Sequence, residues 1–203
     1  MKQTGILLVV TGPTASGKDA VVESILKKTH VFKKVITTTT RTPRPGEKNG
    51  VNYFFVSIKD FHKMGENQEF LETNEYGGNF YGTTKKEIHQ VLARQDLVWR
   101  IDPSAAAKIK SIISKNFPKD AASELISKTI VIYLSPESAQ VLISRLKGRG
   151  FSGSEIDQRL NEENMLWEKY QNKFPYVIIN KTGYLDKTVA NVLALVQERK
   201  ESL

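Results

Sequence analysis

The chain has 203 residues, no cysteine and a formal net charge of +8 at pH 7. This length is typical of one compact domain, and the lack of cysteine excludes disulfides and thiolate metal sites. The longest apolar run, residues 6–10, is far too short for a membrane helix of roughly 20 residues, and we recognise no secretory signal. We therefore expect a cytoplasmic protein with no membrane partner. We recognise no nucleic-acid-binding module either, so the positive charge points to small phosphorylated ligands.

Strand-like and helix-like segments alternate along the first half of the chain. Residues 6–10 form a continuous apolar run, typical of a strand buried on both faces. A glycine-containing loop follows, and then an apolar-periodic helix to about Lys28. Further strands are predicted at residues 35–38 and 53–56, and a hairpin at 69–81. Thr84 and Glu87 have the spacing of a capping box that opens a helix.

The second half continues the alternation. Residues 97–101 and 129–134 read as strands, with a helix predicted at 104–115 and a polar, irregular stretch at 116–128. Pro136 and Ser154 are the predicted starts of two more helices, and residues 177–179 are the last strand. An amphipathic helix begins at Leu185. The pattern predicts a single α/β domain with a mainly parallel sheet.

The segment between the first strand and the first helix matches the phosphate-loop motif G-x-x-x-x-G-K. Its glycines allow several backbone N–H groups to converge on a phosphate, and the helix N-terminus adds partial positive charge. The lysine can reach the β- and γ-phosphates of a nucleotide. The candidate ATP-binding residues are Gly12, Pro13, Thr14, Ala15, Ser16, Gly17, Lys18 and Asp19.

Asp19 departs from that motif, in which a serine or threonine hydroxyl binds Mg²⁺. A carboxylate can also bind Mg²⁺, so Asp19 is a candidate metal ligand. A carboxylate at this position would also repel a triphosphate. The sequence therefore predicts nucleotide binding and leaves the catalytic rate open.

A second constellation follows at residues 37–54, where Arg41 and Arg44 are spaced by prolines and Tyr53 lies downstream. Two arginines three positions apart can make a fixed fork for a phosphate. The alternative is a solvated basic loop. Through this segment, the phosphate loop and the Leu-Lys-Gly-Arg-Gly region that ends at Gly150, the chain resembles the guanylate kinase family along nearly its whole length.

The resemblance implies a P-loop three-layer fold and phosphorylation of GMP and dGMP by ATP, with Mg²⁺, in a monomer or homodimer. It divides the domain into a core of residues 1–36 and 89–203, an NMP-binding insert of about 37–88, and a lid of about 140–160. The implied GMP-binding residues are Thr37, Arg41, Arg44, Tyr53, Glu72, Tyr81, Thr83 and Asp102. A carboxylate such as Glu72 can accept from N1–H and N2 of guanine, a donor pair that adenine lacks.

Phosphoryl transfer depends on positioning and on charge neutralisation. The implied catalytic residues are Lys18, Arg41, Arg149 and Arg159. The resemblance also places Asn180 near the adenine of ATP.

The chain departs from the family pattern in the strand predicted at residues 97–101, where Arg100 stands in the place of a family acid. Because an unpaired charge beside the phosphates would be costly, we predict an ion pair between Asp19 and Arg100. Two rival interpretations remain at this point. One is a guanylate-kinase-like binding module with weak or no catalysis, and the other is a kinase of another small phosphorylated acceptor.

Overall fold

The structure is a computed structural model that describes residues 5–203, apart from the side chain of Tyr76. The strands are β1 (Leu7–Thr11), β2 (Phe32–Lys34), β3 (Thr38–Thr39), β4 (Phe54–Phe55), β5 (Phe70–Tyr76), β6 (Asn79–Thr84), β7 (Asp96–Arg100), β8 (Thr129–Pro136) and β9 (Tyr176–Asn180). The helices are α1 (Lys18–Thr29), α2 (Ile58–Glu66), α3 (Lys85–His89), α4 (Pro103–Ala107), α5 (Ile109–Asn116), α6 (Lys119–Ser127), α7 (Ala139–Lys147), α8 (Gly153–Tyr170) and α9 (Leu185–Glu201). Within the described part of the chain, every helix is too short or too polar to cross a lipid bilayer.

The central sheet has five strands in the order β2-β7-β1-β8-β9, and all its pairings are parallel. β1 lies in the middle, where Leu7 pairs with Leu97 on one side and with Thr129 on the other. All five residues of β1 are buried, as the continuous apolar run predicts. The prediction of an α/β fold with a mainly parallel sheet is confirmed.

Helices cover both faces of this sheet because side chains alternate along β1. Leu7 and Val9 belong to the core on the face covered by α4, α5, α6 and α8. Leu8 and Val10 belong to the core on the opposite face, under α1 and α9. The result is a three-layer arrangement in which the carboxyl end of β1 delivers the chain directly to the phosphate loop.

A second sheet, β4-β3-β6-β5, is built from residues 38–84 and stands beside the central one. The predicted hairpin is confirmed, since β5 and β6 pair antiparallel from Phe70–Thr84 to Tyr76–Asn79. The strand predicted at residues 35–38 is wrong in its bounds. The chain instead leaves β2 at Lys34 and enters β3 at Thr38, because it passes there from one sheet to the other.

The sequence prediction of an irregular stretch at 116–128 is wrong, because α6 fills most of it. Ala122 and Leu125 lie at helical spacing and are buried, which anchors a helix whose other side chains are mostly polar. The helix predicted at 104–115 is interrupted at Lys108, the residue between α4 and α5. Both helices keep their apolar side chains on the same core.

Two of the predicted helix starts also need correction. Ser152, not Ser154, caps α8, because Ser152 and Glu155 form a capping box. Pro136 ends β8, and Ser138 caps α7. Only one of the two hydrogen bonds of the capping box predicted at Thr84 and Glu87 forms. The Thr84 hydroxyl accepts from the Glu87 N–H, while the Glu87 carboxylate accepts from the N–H of Ile36 at 3.2 Å.

Candidate active site

The phosphate loop is shaped by two glycines that no other residue could replace without strain. Gly12 has φ 139°, and a Cβ there would lie 2.2 Å from the Leu134 carbonyl oxygen. Gly17 has φ 95°, and a Cβ there would lie 2.3 Å from Nδ2 of Asn180. Both φ values lie in the region that favours glycine. The loop is therefore held close to the carboxyl ends of β8 and β9.

Lys18, the first residue of α1, folds back over this loop. Its Nζ donates to the carbonyl oxygens of Gly12 and Pro13, both at 2.7 Å. Burial lowers the pKa of Lys18 to about 8, while the Glu163 carboxylate opposes the shift and the Arg100 guanidinium adds to it. An incoming phosphate would supply the counter-charge that this buried ammonium lacks.

Asp19 and Arg100 form the predicted ion pair, with Oδ1 3.0 Å from Nη1. Their side chains are 59% and 37% exposed respectively. Nη2 of Arg100 also donates to the hydroxyl of Tyr53 at 3.3 Å. Arg100 therefore connects the residue after the phosphate-loop lysine to a tyrosine that directly precedes β4 of the second sheet.

Glu163, on α8, contacts the loop from the other side. Its Oε1 accepts a hydrogen bond from the backbone N–H of Thr14 at 2.8 Å, and among the described residues its buried Oε2 has no hydrogen-bond partner. Burial raises the pKa of this carboxyl, and the Thr14 hydrogen bond and the Lys18 charge oppose the shift. Nothing in the sequence indicates this contact.

Arg41 lies against the aromatic side of the second sheet. Its guanidinium is 2.9 Å from the Glu47 carboxylate and lies 5.4 Å from the ring centre of Tyr53. The hydrogen bond from Arg41 to Glu47 lowers the pKa of Glu47 and raises that of Arg41. The same carboxylate accepts from the backbone N–H of Arg44 at 2.7 Å, and the Arg44 side chain is exposed. Glu47 thus ties the Arg41 guanidinium to the backbone of Arg44.

Glu72, on β5, is the most perturbed carboxyl near the second sheet. Burial raises its pKa to about 7, the neighbouring Thr83 opposes the shift, and the Asp102 carboxylate adds to it. The Thr83 hydroxyl is fully buried and forms no regular hydrogen bond within the described residues. Asp102 caps α4, because its Oδ1 accepts from the N–H groups of Ser104 and Ala105.

One cleft of about 420 Å³ is lined by residues from both predicted groups. The loop side contributes Gly12, Thr14, Lys18 and Glu163, and the other side contributes Thr37, Tyr53, Glu72, Asn74, Tyr81 and Asp102. Arg100 also lines it. The described residues Arg41, Arg44, Thr83, Arg149 and Arg159 stand outside its lining. A cleft with a cation at one end and a buried carboxyl at the other suits an elongated polar ligand.

The arginines predicted for the lid occupy different places. Arg149 follows α7 in an exposed turn, and its charge contributes to lowering the pKa of Lys18. Arg159 packs its guanidinium over the ring of Phe151 at 4.4 Å. Arg145 donates to the carbonyl oxygen of Ala15 at 3.3 Å and to the Thr182 hydroxyl at 3.0 Å. Arg145 thus clasps the phosphate loop, a role that the sequence did not reveal.

Asn180, at the end of β9, supports the same loop. Its Nδ2 donates to the carbonyl oxygen of Ser16 at 2.9 Å, and its Oδ1 accepts from the Thr188 hydroxyl at 3.0 Å. Both contacts are buried, so Asn180 fixes the phosphate loop against α9.

The donor set fits a directly bound metal ion poorly. Both carboxylate oxygens of Asp19, the candidate ligand, lie within 3.4 Å of the Arg100 guanidinium. Across the described residues, no group of three or more His, Asp or Glu side chains is arranged to hold a metal. A metal ion at Asp19 would have to displace the Arg100 guanidinium or bind against its repulsion.

Comparison with known proteins agrees with this geometry. The family model described as guanylate kinase matches residues 4–199. A guanylate kinase of Carboxydothermus hydrogenoformans is 35% identical over 87% of this chain and 80% of its own length. One from Symbiobacterium thermophilum is 33% identical over 98% of this chain and 88% of its own.

Solved structures support the same fold. The crystal structure of guanylate kinase from Anaplasma phagocytophilum superposes with a TM-score of 0.73 at 23% identity, covering 98% of this chain and 88% of that one. A shikimate kinase from Acinetobacter baumannii, at 14% identity, reaches a TM-score of 0.50. Together with the phosphate loop and the cleft, these matches show that the chain belongs to the guanylate kinase family.

Proposed function

We propose that this protein transfers the γ-phosphoryl group of ATP to GMP and dGMP, giving ADP and the nucleoside diphosphate. The observation that carries the proposal is the shared cleft, which Lys18 lines on the loop side and Glu72 and Tyr81 line on the other. Family membership supports it, since the relatives that cover most of the chain are named guanylate kinases.

The donor half of the site is the phosphate loop, residues 12–19. Its N–H groups and the N-terminus of α1 suit the phosphates of ATP. Lys18 would exchange its two carbonyl contacts for the β- and γ-phosphates. Mg²⁺, which kinases of this kind use to neutralise phosphate charge, would travel with the nucleotide.

The acceptor half is the second sheet and the loop before it. The residues proposed to hold the GMP phosphate are Arg41, Arg44, Tyr53 and Tyr81. Glu47 holds the Arg41 guanidinium and the backbone of Arg44. Thr37, Glu72, Thr83 and Asp102 are proposed to read the guanine base. In its ionised form Glu72 accepts from N1–H and N2, so adenine would leave it unpaired.

Transfer follows directly from this arrangement. An oxygen of the GMP phosphate attacks the γ-phosphorus, and the bond to the β–γ bridging oxygen breaks, so that ADP leaves without a covalent enzyme intermediate. The proposed cations around the phosphoryl group during transfer are Lys18, Arg41, Arg149 and Arg159. Arg149 and Arg159 belong to the proposed lid, about 140–160, which would close over the cleft.

The proposed domain organisation is a core of residues 1–36 and 89–203 with an NMP-binding insert of about 37–88. The boundaries agree with the second sheet, which residues 38–84 build. Residues 1–4 of the proposed core lie outside the described part of the chain.

Product analysis tests the proposal. The protein is incubated with ATP, Mg²⁺ and one of GMP, dGMP, AMP, CMP or UMP, and the nucleotides are separated by chromatography. We expect GDP and dGDP with an equal amount of ADP. AMP turnover above that of GMP would overturn the base assignment. Binding of GMP without any diphosphate would instead identify a binding module.

A further inference from the structure

Arg100 stands at the junction of the two halves of the cleft. It is the last residue of β7, and it pairs with Val10, two residues before the phosphate loop. The carboxyl ends of parallel strands are where α/β proteins bind their ligands. The backbone therefore places this guanidinium next to the phosphates of any nucleotide held by the loop.

The side chain of Arg100 spans from donor side to acceptor side. Nη1 pairs with Asp19 at 3.0 Å, and Nη2 donates to the Tyr53 hydroxyl at 3.3 Å. Tyr53 in turn lies under Arg41, 5.4 Å from its guanidinium. A planar cation with donors on two edges suits a phosphoryl group that passes between two phosphates.

We propose that Arg100 is a catalytic residue that contacts the phosphoryl group in transit, and that Asp19 positions Arg100 instead of coordinating a metal ion. The inference rests on the proposed phosphotransfer function. It goes beyond that function by assigning to a side chain of this protein the charge neutralisation that a hydroxyl-bound metal supplies in other phosphate-loop enzymes.

The charges around Lys18 support the first half of this proposal. The Arg100 guanidinium contributes more than that of Arg149 to lowering the pKa of Lys18, and both Arg100 and Lys18 line the cleft. Two cations facing one cleft repel each other until an anion arrives. A triphosphate binds more tightly to such a pair than to Lys18 alone.

The exposure of the ion pair supports the second half. With side chains 59% and 37% exposed, Asp19 and Arg100 are screened by water and weakly held. Arg100 can therefore turn to a phosphate without a large loss. Until a nucleotide binds, Asp19 holds the Arg100 guanidinium at the cleft. The Asp19 carboxylate is neutralised by that guanidinium and not by a metal ion.

Kinetics of Arg100→Ala test the catalytic role. We expect kcat for GDP formation to fall by about 100- to 1000-fold, the usual loss for one preorganised charge donor, with smaller changes in KM. Millimolar guanidinium ion should restore part of kcat in Arg100→Ala. The same addition should leave kcat of the control variant Arg199→Ala unchanged. Circular dichroism and thermal melting are used to check that both variants, Arg100→Ala and Arg199→Ala, are folded.

The outcomes separate the two levels of the account. Arg100→Ala that keeps wild-type kcat would refute the role of Arg100 and leave the proposed function intact. Wild-type protein that forms no GDP would refute the proposed function, and the role of Arg100 with it.

A metal readout independent of turnover tests Asp19. Binding of Mn²⁺ to the protein complexed with a non-hydrolysable ATP analogue is followed by electron paramagnetic resonance. We expect Asp19→Ala to leave the Mn²⁺ affinity unchanged, and the double variant with Arg100→Ala to be no slower than Arg100→Ala alone. A loss of Mn²⁺ affinity of about 10-fold or more would show that Asp19 helps to hold the metal ion, directly or from its outer shell, and would overturn this part of the proposal.

Discussion

Glu163 accepts a hydrogen bond from the backbone N–H of Thr14 at 2.8 Å, across 149 residues of sequence. The donor is an amide of the loop that is proposed to cradle the ATP phosphates, and Lys18 is close enough to affect the pKa of Glu163. A carboxylate thus holds a place suited to a phosphate oxygen. Nucleotide binding must move or neutralise it.

We predict that Glu163→Gln strengthens ATP binding. The amide keeps an acceptor for the Thr14 N–H but removes a negative charge that repels the triphosphate. The expected gain is about 3- to 10-fold in the dissociation constant, measured by calorimetry, since a charge pair at a few ångströms contributes about 1 kcal/mol or more. Glu162→Gln, which changes an exposed neighbour, is the matched control. Weaker ATP binding in Glu163→Gln would show that Glu163 supports the loop.

ATP binding should weaken above about pH 8, where the free protein loses the proton of Lys18. A bound phosphate favours the charged amine, so binding takes up a proton in that range and the dissociation constant rises by up to about 10-fold per pH unit. Below pH 8 the dependence should be flat. A titration that shows no break in the wild type, or the same break in Lys18→Met, would contradict the assignment.

GMP binding should weaken in the opposite direction, below about pH 7, because Glu72 must be ionised to accept from guanine. Glu72→Gln should remove that break and weaken GMP binding by about 10- to 100-fold, the loss expected for an unpaired buried polar group. ATP binding should be unaffected. The control is Glu75→Gln, an exposed carboxylate on the same strand. Unchanged GMP affinity in Glu72→Gln would place the base elsewhere.

The buried pair between Asp96 and Lys200 should dominate the electrostatic contribution to stability. The Asp96 side chain is 3% exposed and also accepts from the Ile6 N–H at 2.9 Å. Asp96→Ala leaves both partners unsatisfied, so we expect a loss of about 3–5 kcal/mol in the free energy of unfolding, measured in urea. Asp186→Ala, which breaks an exposed pair with Lys28, should cost at most about 1 kcal/mol. Equal losses in the two variants would contradict this prediction.

Local features of the chain could be predicted from the sequence. The phosphate loop is contiguous, and its chemistry depends on glycines and one lysine at fixed spacing. The ion pair between Asp19 and Arg100 could also be predicted. Without its partner, each of the two side chains would place an unpaired charge beside the phosphate loop, which is costly.

Contacts that depend on the packing of distant helices could not be predicted. Glu163 stands among other acidic residues of α8, and nothing in its neighbourhood marks the one that reaches Thr14. Helix α6 was missed because only Ala122 and Leu125 are buried, and its polar side chains outnumber them. The hydrogen bond from Arg145 to the carbonyl oxygen of Ala15 in the loop also depends on how α7 packs against it.

The central claim is that a donor and an acceptor phosphate site face each other across one cleft. Its most direct test is the affinity of a bisubstrate compound, adenosine joined to guanosine through five phosphates. Because one molecule would fill both sites, we expect it to bind at least about 100-fold more tightly than ATP or GMP alone. Affinity no greater than that of ATP would mean that the two sites are not aligned, and would contradict the account.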